Sequence, residues 1–346
     1  MNVILLTATT DPKVKAGVET YNGYLKKVFP GMKIISYGMV KPGALEWFSP
    51  LKEPMKAGAV CSFLKENIGT LKPDLVITNG MFGWNLKERD TGCPIINISH
   101  GTFAGLADNA IKPGLEFCRT RFIYAFFEKM SAGNASLVVS NSGLTKELNK
   151  KYYGIGSEVI PNPVDTKTFK ARDMKKAREK LGLGAGKTIG LFVGRPEYQK
   201  GFDLLEKIAG LRPEIGFVSI TFPKTKSTVK NITGVSVSER EELALYYAAA
   251  DFVVFPSRFE GFGFVPIEAL SCNTPVISGN VGVVREIRAD GLEKVSSMEA
   301  GEWCRAIDRV LGKKSRPSTA ALVAEKFGFG KFRRRFLALA GRITKN

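Results

Sequence analysis

Short, almost unbroken apolar runs are the feature that most constrains the fold of this chain. Each run is followed by a longer segment with helical periodicity. Continuous apolar strands separated by helices are typical of parallel sheets that are covered on both faces. The runs lie at residues 3–6, 75–77, 95–98, 137–139, 189–193, 215–220, 252–255 and 275–277. Because they form two series, the sequence predicts an α/β protein with two doubly wound parallel-sheet domains.

The boundary between the two series is marked by Pro161 and Pro163, because closely spaced prolines interrupt regular structure. We therefore predict one domain over residues 1–160 and a second over residues 166–325. Residues 331–345 carry apolar side chains at helical spacing. They are predicted to form a terminal helix that packs back across the first domain.

Composition and targeting signals exclude several classes of protein. Hydrophobic residues make up 44% and charged residues 24% of the chain, which is the balance of a globular protein. No stretch approaches the roughly 18 to 20 apolar residues of a membrane-spanning helix. The first residues lack the cationic region and the apolar core of about 7 to 15 residues that a signal peptide needs. We therefore expect a cytoplasmic location.

The cysteines and the histidine argue against a metal site. The five cysteines are widely spaced and include no C-x-x-C pair, which favours a reduced setting. His100 is the only histidine. A zinc site built from histidine and cysteine clusters is therefore not expected, and no metal is predicted.

The net charge of +18 is concentrated in the second half of the chain. Through residue 165 there are 19 basic and 14 acidic residues, a balance of +5, which leaves 32 and 19, or +13, for the remainder. Such a charge indicates an anionic partner: a polyanion, an anionic membrane surface or an anionic small molecule. The charge alone does not choose among them.

Two strand-to-loop junctions are candidates for binding an anion. The loop after the first strand is followed by a helical stripe that begins near Gly17, and a helix N-terminus with a glycine allows an anion to approach closely. An ordinary helix start would look the same. Arg195 and Lys200 lie just beyond the first strand of the second domain, where two cations suit a diphosphate. The alternative is a pair of solvated loop cations.

The most informative segment is residues 255–270, which leave a strand, turn through two glycines and enter a helix. Glu260 is predicted in the loop and Glu268 on the helix. Two carboxylates suit a polyhydroxyl ligand, because they accept bonds from neighbouring hydroxyl groups. Backbone N–H groups at the predicted helix start would add donors to the site. These belong to Phe262, Gly263 and Phe264.

At this point the chain resembles a known family, the retaining family-4 type (group 1) glycosyltransferases. Glu260 and Glu268 match its Glu-x7-Glu element. Further matches, in chain order, are Gly17-Val18-Glu19, His100-Gly101, the segment 160–165, Gly194-Arg195 and Lys200-Gly201. In the N-terminal motif, Ala16 stands in place of the first glycine. Two departures stand out: Cys272-Asn273 replaces the usual small-residue step before Thr274-Pro275, and Thr221-Phe222-Pro223-Lys224 replaces a glycine-rich turn near the nucleotide, which leaves the donor base open.

The resemblance implies a GT-B fold, in which two Rossmann-like domains face a central cleft, the second binding the nucleotide sugar and the first the acceptor. It implies a retaining transfer of a sugar from a nucleoside diphosphate sugar to a hydroxyl acceptor that is a glycan or is lipid-linked. Glu268 would bind the ribose and Glu260 the transferred sugar, with His100 nearby. Arg195, Lys200 and Gly17 would hold the diphosphate. No cofactor and no metal would be required.

Two other functions and one further partner are kept open. A GT-B sugar-nucleotide epimerase or phosphorylase is the enzyme alternative, and a basic nucleic-acid-binding protein is the other, although no nucleic acid is expected because the aromatic residues lie in core-like runs. A predicted basic-aromatic helix around Phe122, Phe126 and Phe127, and a terminal cluster from Lys331 to Arg335, suggest an anionic membrane surface as a partner. The alternative is that these phenylalanines belong to the core.

Overall fold

The computed structural model describes residues 1–9, 17–40, 49–184 and 186–345, and these form two compact units. The first unit comprises Met1–Pro163 and Phe329–Asn346, and the second comprises Val164–Gly328. The loop predicted after the first strand lies largely at residues 10–16, outside the described residues, as does Ala16 of the N-terminal motif.

The first unit contains a six-stranded parallel sheet with the order β2-β1-β3-β4-β5-β6. Its strands are β1 (Val3–Thr7), β2 (Lys33–Ser36), β3 (Leu75–Asn79), β4 (Ile95–Ser99), β5 (Leu137–Ser140) and β6 (Glu158–Val159). Its α-helices are α1 (Gly17–Val28), α2 (Lys52–Glu66), α3 (Ile68–Leu71), α4 (Glu88–Thr91), α5 (Phe103–Ala110), α6 (Leu115–Cys118), α7 (Ala125–Asn134), α8 (Gly143–Leu148) and, after the second unit, α15 (Phe329–Ile343). Two π-helical turns, Arg119–Tyr124 and Asn149–Tyr153, lead into α7 and follow α8.

The second unit contains another six-stranded parallel sheet, with the order β12-β11-β10-β7-β8-β9. Its strands are β7 (Ile189–Val193), β8 (Gly216–Ile220), β9 (Ile232–Val235), β10 (Phe252–Phe255), β11 (Val276–Gly279) and β12 (Leu292–Val295). Its α-helices are α9 (Met174–Leu181), α10 (Phe202–Leu211), α11 (Arg240–Ala249), α12 (Phe264–Ser271), α13 (Ala300–Leu311) and α14 (Ala320–Phe327).

Each sheet reverses its winding direction at one point, and these points locate the sites described below. In the first unit the reversal lies between β1 and β3, and in the second it lies between β7 and β10. Loops that leave the carboxyl ends of neighbouring strands diverge at such a point and leave a crevice, where α/β proteins bind ligands. The two parallel sheets confirm the predicted α/β, doubly wound class.

The terminal helix α15 packs against α1 within the first unit. Phe332 contacts the ring of Tyr21 edge-on at 5.7 Å, and Phe336 contacts Phe29 at 6.1 Å. Both phenylalanines are buried, whereas Lys331 and Arg333 to Arg335 are exposed on the other side of the helix. The helix therefore buries an apolar stripe and leaves a basic one at the surface. Among the described residues, no helix is long and apolar enough to cross a membrane.

Candidate functional site

Lys200 and Glu260 meet at the switch point of the second unit. Lys200 ends a short 3₁₀ turn after β7, and Glu260 lies in the loop after β10. The Lys200 Nζ lies 2.6 Å from Glu260 Oε1, and the two side chains are only 19% and 11% exposed. Because the pair is largely shielded from water, its charges interact more strongly than a surface ion pair would. The structure thus brings together two of the predicted site residues, sixty positions apart in sequence.

Backbone and side-chain contacts hold these two loops together. Arg258 makes a bidentate pair with Asp203, with bonds of 2.7 and 2.8 Å, and its guanidinium lies over the Tyr198 ring at 3.7 Å. Gly201 has a positive φ of +72°, and a Cβ at this position would lie 2.1 Å from the Pro256 carbonyl oxygen. Only glycine allows this approach, which places Lys200 against the Glu260 loop.

Arg195, the other predicted phosphate ligand, has a different environment. Its guanidinium donates to the Glu197 carboxylate at 2.9 Å, and its side chain is 53% exposed. The exposed pair contributes little to stability, because water screens it and two long side chains must be ordered to form it. The structure therefore places Arg195 beyond the end of β7, where its guanidinium pairs with Glu197.

Glu268 is buried on α12, four residues after the helix begins at Phe264. Its Oε2 accepts from the Tyr247 hydroxyl at 3.0 Å, and its Oε1 accepts from Arg240 Nη2 at 3.2 Å. Burial raises the pKa of Glu268, while the Arg240 guanidinium acts in the opposite direction. The carboxylate is thus fixed in position by two donors from α11, and Arg240 in turn lies over the Phe169 ring at 4.9 Å.

The start of α12 presents backbone donors rather than aromatic side chains. The Phe262 ring is buried against Phe264 at 5.3 Å and Phe327 at 5.9 Å, so it belongs to the core. Gly263 adopts a φ of +87° and lets the chain turn into the helix. The first N–H groups of a helix have no intrahelical acceptor. The predicted donors at residues 262–264 therefore lie where an anion or a sugar oxygen could accept from them.

In the first unit, His100 follows β4 and contacts one polar and one aromatic side chain. Its Nε2 is 2.8 Å from Asn79 Oδ1, and its ring meets the Tyr21 ring edge-on at 4.9 Å. Burial lowers the pKa of His100 to about 4. His100 is therefore neutral near pH 7 and is suited to hydrogen bonding rather than to carrying charge. Gly17, the remaining predicted residue, begins α1 one turn before Tyr21.

A buried carboxylate supports the loop that carries His100. Glu128 on α7 is 5% exposed, and its Oε2 accepts from the backbone N–H of Phe103 at 2.8 Å and from the Tyr153 hydroxyl at 2.5 Å. Phe103 is the first residue of α5 and comes three residues after His100. Burial raises the pKa of Glu128 to about 7. Glu128 therefore links α7 to the start of α5 by a hydrogen bond, and the charge of the accepting carboxyl group depends on pH.

Glu128 is expected to make the first unit less stable as the pH rises through its titration range. The pKa of Glu128 is 4.5 in the unfolded chain and about 7 in the folded protein. Between these two pH values the folded state holds the Glu128 proton more tightly than the unfolded state does. The free energy of unfolding should fall across this window by up to about 3 kcal/mol. Glu128→Gln should remove that part of the fall.

The measurement is hydrogen exchange of the segment 103–134 at a series of pH values, with Glu325→Gln, at an exposed position, as the matched control. An unchanged pH dependence in Glu128→Gln would contradict the assignment.

A family model described as Glycosyltransferase Family 4 matches residues 4–168, and one described as Glycosyl transferases group 1 matches residues 187–313. The chain belongs to the family-4, group 1 glycosyltransferases. The resemblance predicted from the sequence is thereby confirmed.

Curated relatives of this family-4 chain match only part of its length. The D-inositol 3-phosphate glycosyltransferase of Mycobacterium sp. strain JLS is 27% identical over 255 residues, which are 68% of this chain and 57% of the relative. The enzyme of the same name from Nocardia farcinica is 28% identical over 279 residues, 72% of this chain and 61% of the relative. The chain therefore matches less than two thirds of the length of these relatives.

Solved structures resemble the chain over nearly all of its length. Sucrose-phosphate synthase from Thermosynechococcus elongatus is 21% identical, with a TM-score of 0.79, and 99% of this chain and 98% of that one are covered. HepE from Anabaena, in complex with UDP and glucose, is 16% identical, with a TM-score of 0.75. The match covers 99% of this chain and 100% of HepE. At this identity the likeness shows the fold, and the GT-B prediction is confirmed.

Sequence reasoning missed two residues that contact the predicted site residues. Arg240 and Asn79 were not among the predicted residues, although each contacts one that was. Asn79 gave one usable signal, since it is a polar residue that ends an apolar strand and precedes a glycine. The described part of the chain contains no group of three or more histidine, cysteine, aspartate or glutamate side chains that could hold a metal.

Proposed function

We propose that this chain transfers a sugar from a nucleoside diphosphate sugar to a hydroxyl group of a glycan or lipid-linked acceptor, with retention at the anomeric carbon and without a metal. The observation that carries the proposal is the shielded Lys200–Glu260 pair at the switch point, with Glu268 buried on the adjoining unit-2 helix. The family matches support sugar transfer and give no support to the epimerase, phosphorylase or nucleic-acid alternatives.

Each charged group of the second unit has a separate part in this proposal. The bond between the anomeric carbon and the diphosphate oxygen breaks, and the acceptor hydroxyl oxygen bonds to that carbon. The hydroxyl proton passes to the leaving diphosphate or to solvent, and the nucleoside diphosphate leaves with the negative charge that develops on its oxygen. In this proposal Lys200 and Arg195 stabilise that charge, which is the role of pre-oriented cations. Glu260 accepts from hydroxyl groups of the transferred sugar, and Glu268 accepts from those of the ribose.

The proposal assigns further contacts to backbone N–H groups and to residues of the first unit. The N–H groups at residues 262–264 would donate to the donor substrate at the start of α12. Gly17, at the start of α1, offers the same kind of helix N-terminus to a phosphate. His100, neutral at pH 7, would form a hydrogen bond with the reacting sugar.

A donor panel tests the proposal. Thermal stability is followed with UDP-, GDP- and ADP-sugars, because a ligand that binds only the folded state raises its stability by an amount that grows with the ratio of ligand concentration to Kd. The UDP-sugars and ADP-sugars deserve most weight, since solved neighbours are described in complex with UDP-glucose and with ADP. If no sugar nucleotide stabilises the protein and none is cleaved, the proposed function is wrong.

The same panel tests the absence of a metal requirement. Donor cleavage or transfer is expected to persist in excess EDTA, because Lys200 and Arg195 supply the positive charge. Loss of all activity, restored by Mg²⁺ or Mn²⁺, would overturn the metal-free part of the proposal. The anomeric configuration of the product, read by NMR, tests retention separately.

We also propose that the first unit binds an anionic membrane surface through the segment 115–129. The phenylalanines Phe122 and Phe126 are 62% and 56% exposed, and Leu115 is 91% exposed. Phe122 and Phe126 lie four residues apart, so they share one helical face. Phe127, by contrast, packs on Trp84 at 4.8 Å. The core alternative is therefore right for Phe127 and wrong for the other two.

Replacing both exposed phenylalanines should weaken vesicle binding strongly. Each buries apolar area worth roughly 1.5 to 3 kcal/mol if it enters the lipid interface. The double variant Phe122→Ser/Phe126→Ser should therefore bind vesicles containing phosphatidylglycerol at least about tenfold more weakly in a sedimentation assay. Phe222→Ser, at a 69% exposed phenylalanine of the second unit, is the matched control. Equal binding by wild type and the double variant would contradict the membrane proposal.

A further inference from the structure

Three polar side chains form a buried network at the switch point of the first unit. Thr7 ends β1, Asn79 ends β3, and Asn22 lies on α1. Asn79 Nδ2 donates to Thr7 Oγ1 at 3.1 Å and to Asn22 Oδ1 at 2.8 Å, and Asn22 Nδ2 donates to Thr7 Oγ1 at 3.2 Å. All three residues are at most 7% exposed. Such groups need their hydrogen bonds, because water cannot replace them.

The network fixes which way the Asn79 amide faces. If Asn79 alone turned round, its oxygen would face the Asn22 oxygen. If both asparagines turned round, Thr7 would have to donate to two oxygens with its single hydroxyl proton. Only the observed orientation makes all the bonds, with both amide nitrogens donating to Thr7 and the Asn79 oxygen directed to His100.

This orientation determines the protonation of His100. Asn79 Oδ1 is an acceptor, and it lies 2.8 Å from His100 Nε2. That ring nitrogen must therefore carry a proton. A neutral imidazole has one N–H and one acceptor nitrogen, so Nδ1 is the acceptor. The Tyr21 ring packs against the imidazole in a T-shaped arrangement and limits its rotation.

We propose that Asn79 is a positioning residue that holds His100 as the neutral Nε2–H tautomer, so that Nδ1 accepts a hydrogen bond from a hydroxyl group of the sugar substrate. The identity of that hydroxyl group rests on the proposed function, whereas the tautomer rests on the network alone. The low pKa of His100, caused by burial, agrees with a neutral ring. Without Asn79, both tautomers would form, and part of the protein would present a donor where an acceptor is needed.

The tautomer can be read directly, because His100 is the only histidine of the chain. Protein without a histidine tag is labelled with ring-¹⁵N histidine, and the ¹⁵N shifts of the two ring nitrogens are recorded between pH 5.5 and pH 8. We expect one Nε2–H species with little change across this range. A main species protonated on Nδ1, or a ring charged at pH 7, would overturn the proposal.

Substitutions at Asn79 test its part in the effect. Asn79→Leu removes the acceptor, and we expect both tautomers to appear. Asn79→Asp places a carboxylate beside the ring and should raise the His100 pKa from about 4 by about 1 to 3 units, so that the ring is at least partly charged at the lowest pH studied. Tyr21→Phe, which removes a buried hydroxyl that has no hydrogen-bond partner among the described residues, is the matched control and should leave the tautomer unchanged.

Kinetics then test the consequence for the substrate. In Asn79→Leu, kcat should fall about tenfold, the order expected for one lost hydrogen bond, with KM for the donor nearly unchanged. A folded Asn79→Leu protein that keeps a pure Nε2–H ring would overturn the role of Asn79. If Asn79→Leu does not fold, the spectra of wild type and Asn79→Asp still decide the matter. Failure of the proposed function would show instead as a wild type that cleaves no sugar nucleotide despite the expected spectrum.

Discussion

Replacing Glu260 by alanine is expected to lower the rate of sugar transfer by about 100-fold, the scale of a misplaced reacting group. The affinity for free nucleoside diphosphate should change little, because the partner of Glu260 is the transferred sugar. Glu260 lies in the loop ahead of α12, where its carboxylate is bound to Lys200. A bond that orients the anomeric carbon is worth more in the transition state than in the ground state, so its loss appears in the rate.

Glu268→Ala is expected to show the opposite profile. This carboxylate lies inside α12, held by Tyr247 and Arg240, and its predicted partner is the ribose. The ribose is present in the free nucleotide, so nucleoside diphosphate affinity should fall, by roughly 1.5 to 3 kcal/mol for lost bonds to a charged group. Tyr247→Phe, which removes one of the two donors and leaves the carboxylate, should show the same change to a smaller extent.

Two measurements separate these profiles: the affinity for nucleoside diphosphate by calorimetry and the single-turnover rate. Glu260→Gln and Glu268→Gln keep the shape of the side chains and serve as controls for packing, and circular dichroism confirms folding. The same profile for both glutamates, or the reverse assignment, would refute the division of labour between them. The fold would be unaffected by that result.

The central strands were predictable from the sequence, and the edge strands were not. Strands such as β1 and β10 are buried on both faces, so they appear as unbroken apolar runs. The edge strands β9 and β12 have one open side and include charged or small residues, as in Leu292–Val295. Their pairing is decided by the neighbouring strand rather than by their own composition. Periodicity could therefore indicate the class of the fold but not the width of either sheet.

The site was predictable to the extent that its residues follow strand ends. Lys200 and Glu260 follow β7 and β10, and parallel strands bring such positions to one edge of the sheet. Side-chain partners were not predictable, because they depend on distances in three dimensions. Nothing in the sequence indicates that Arg195 pairs with Glu197, or that Asn79 contacts His100. The exposure of Phe122 and Phe126 was likewise open, since a helix of mixed character can bury either face.

The second large effect is expected from the cations. Lys200→Met and Arg195→Met should each weaken nucleoside diphosphate binding by about 1.5 to 3 kcal/mol, the range for hydrogen bonds to charged groups. The structure distinguishes the two, because Lys200 is shielded with Glu260, whereas Arg195 is exposed with Glu197. A diphosphate must therefore draw Arg195 away from the hydrated Glu197 carboxylate. The contribution of Arg195 to diphosphate affinity should depend more on salt concentration than the contribution of Lys200.

Removing each carboxylate partner turns this difference into a test. Glu197→Gln frees Arg195 without touching Lys200, and it should leave nucleoside diphosphate affinity unchanged or slightly higher. Combining Lys200→Met with Glu260→Gln separates the loss of a phosphate ligand from the cost of leaving Glu260 buried without its cation. If affinity in the double variant returns to that of wild type, Lys200 acts only as the partner of Glu260. If affinity stays low, Lys200 binds the diphosphate itself, and calorimetry at two salt concentrations then ranks it against Arg195.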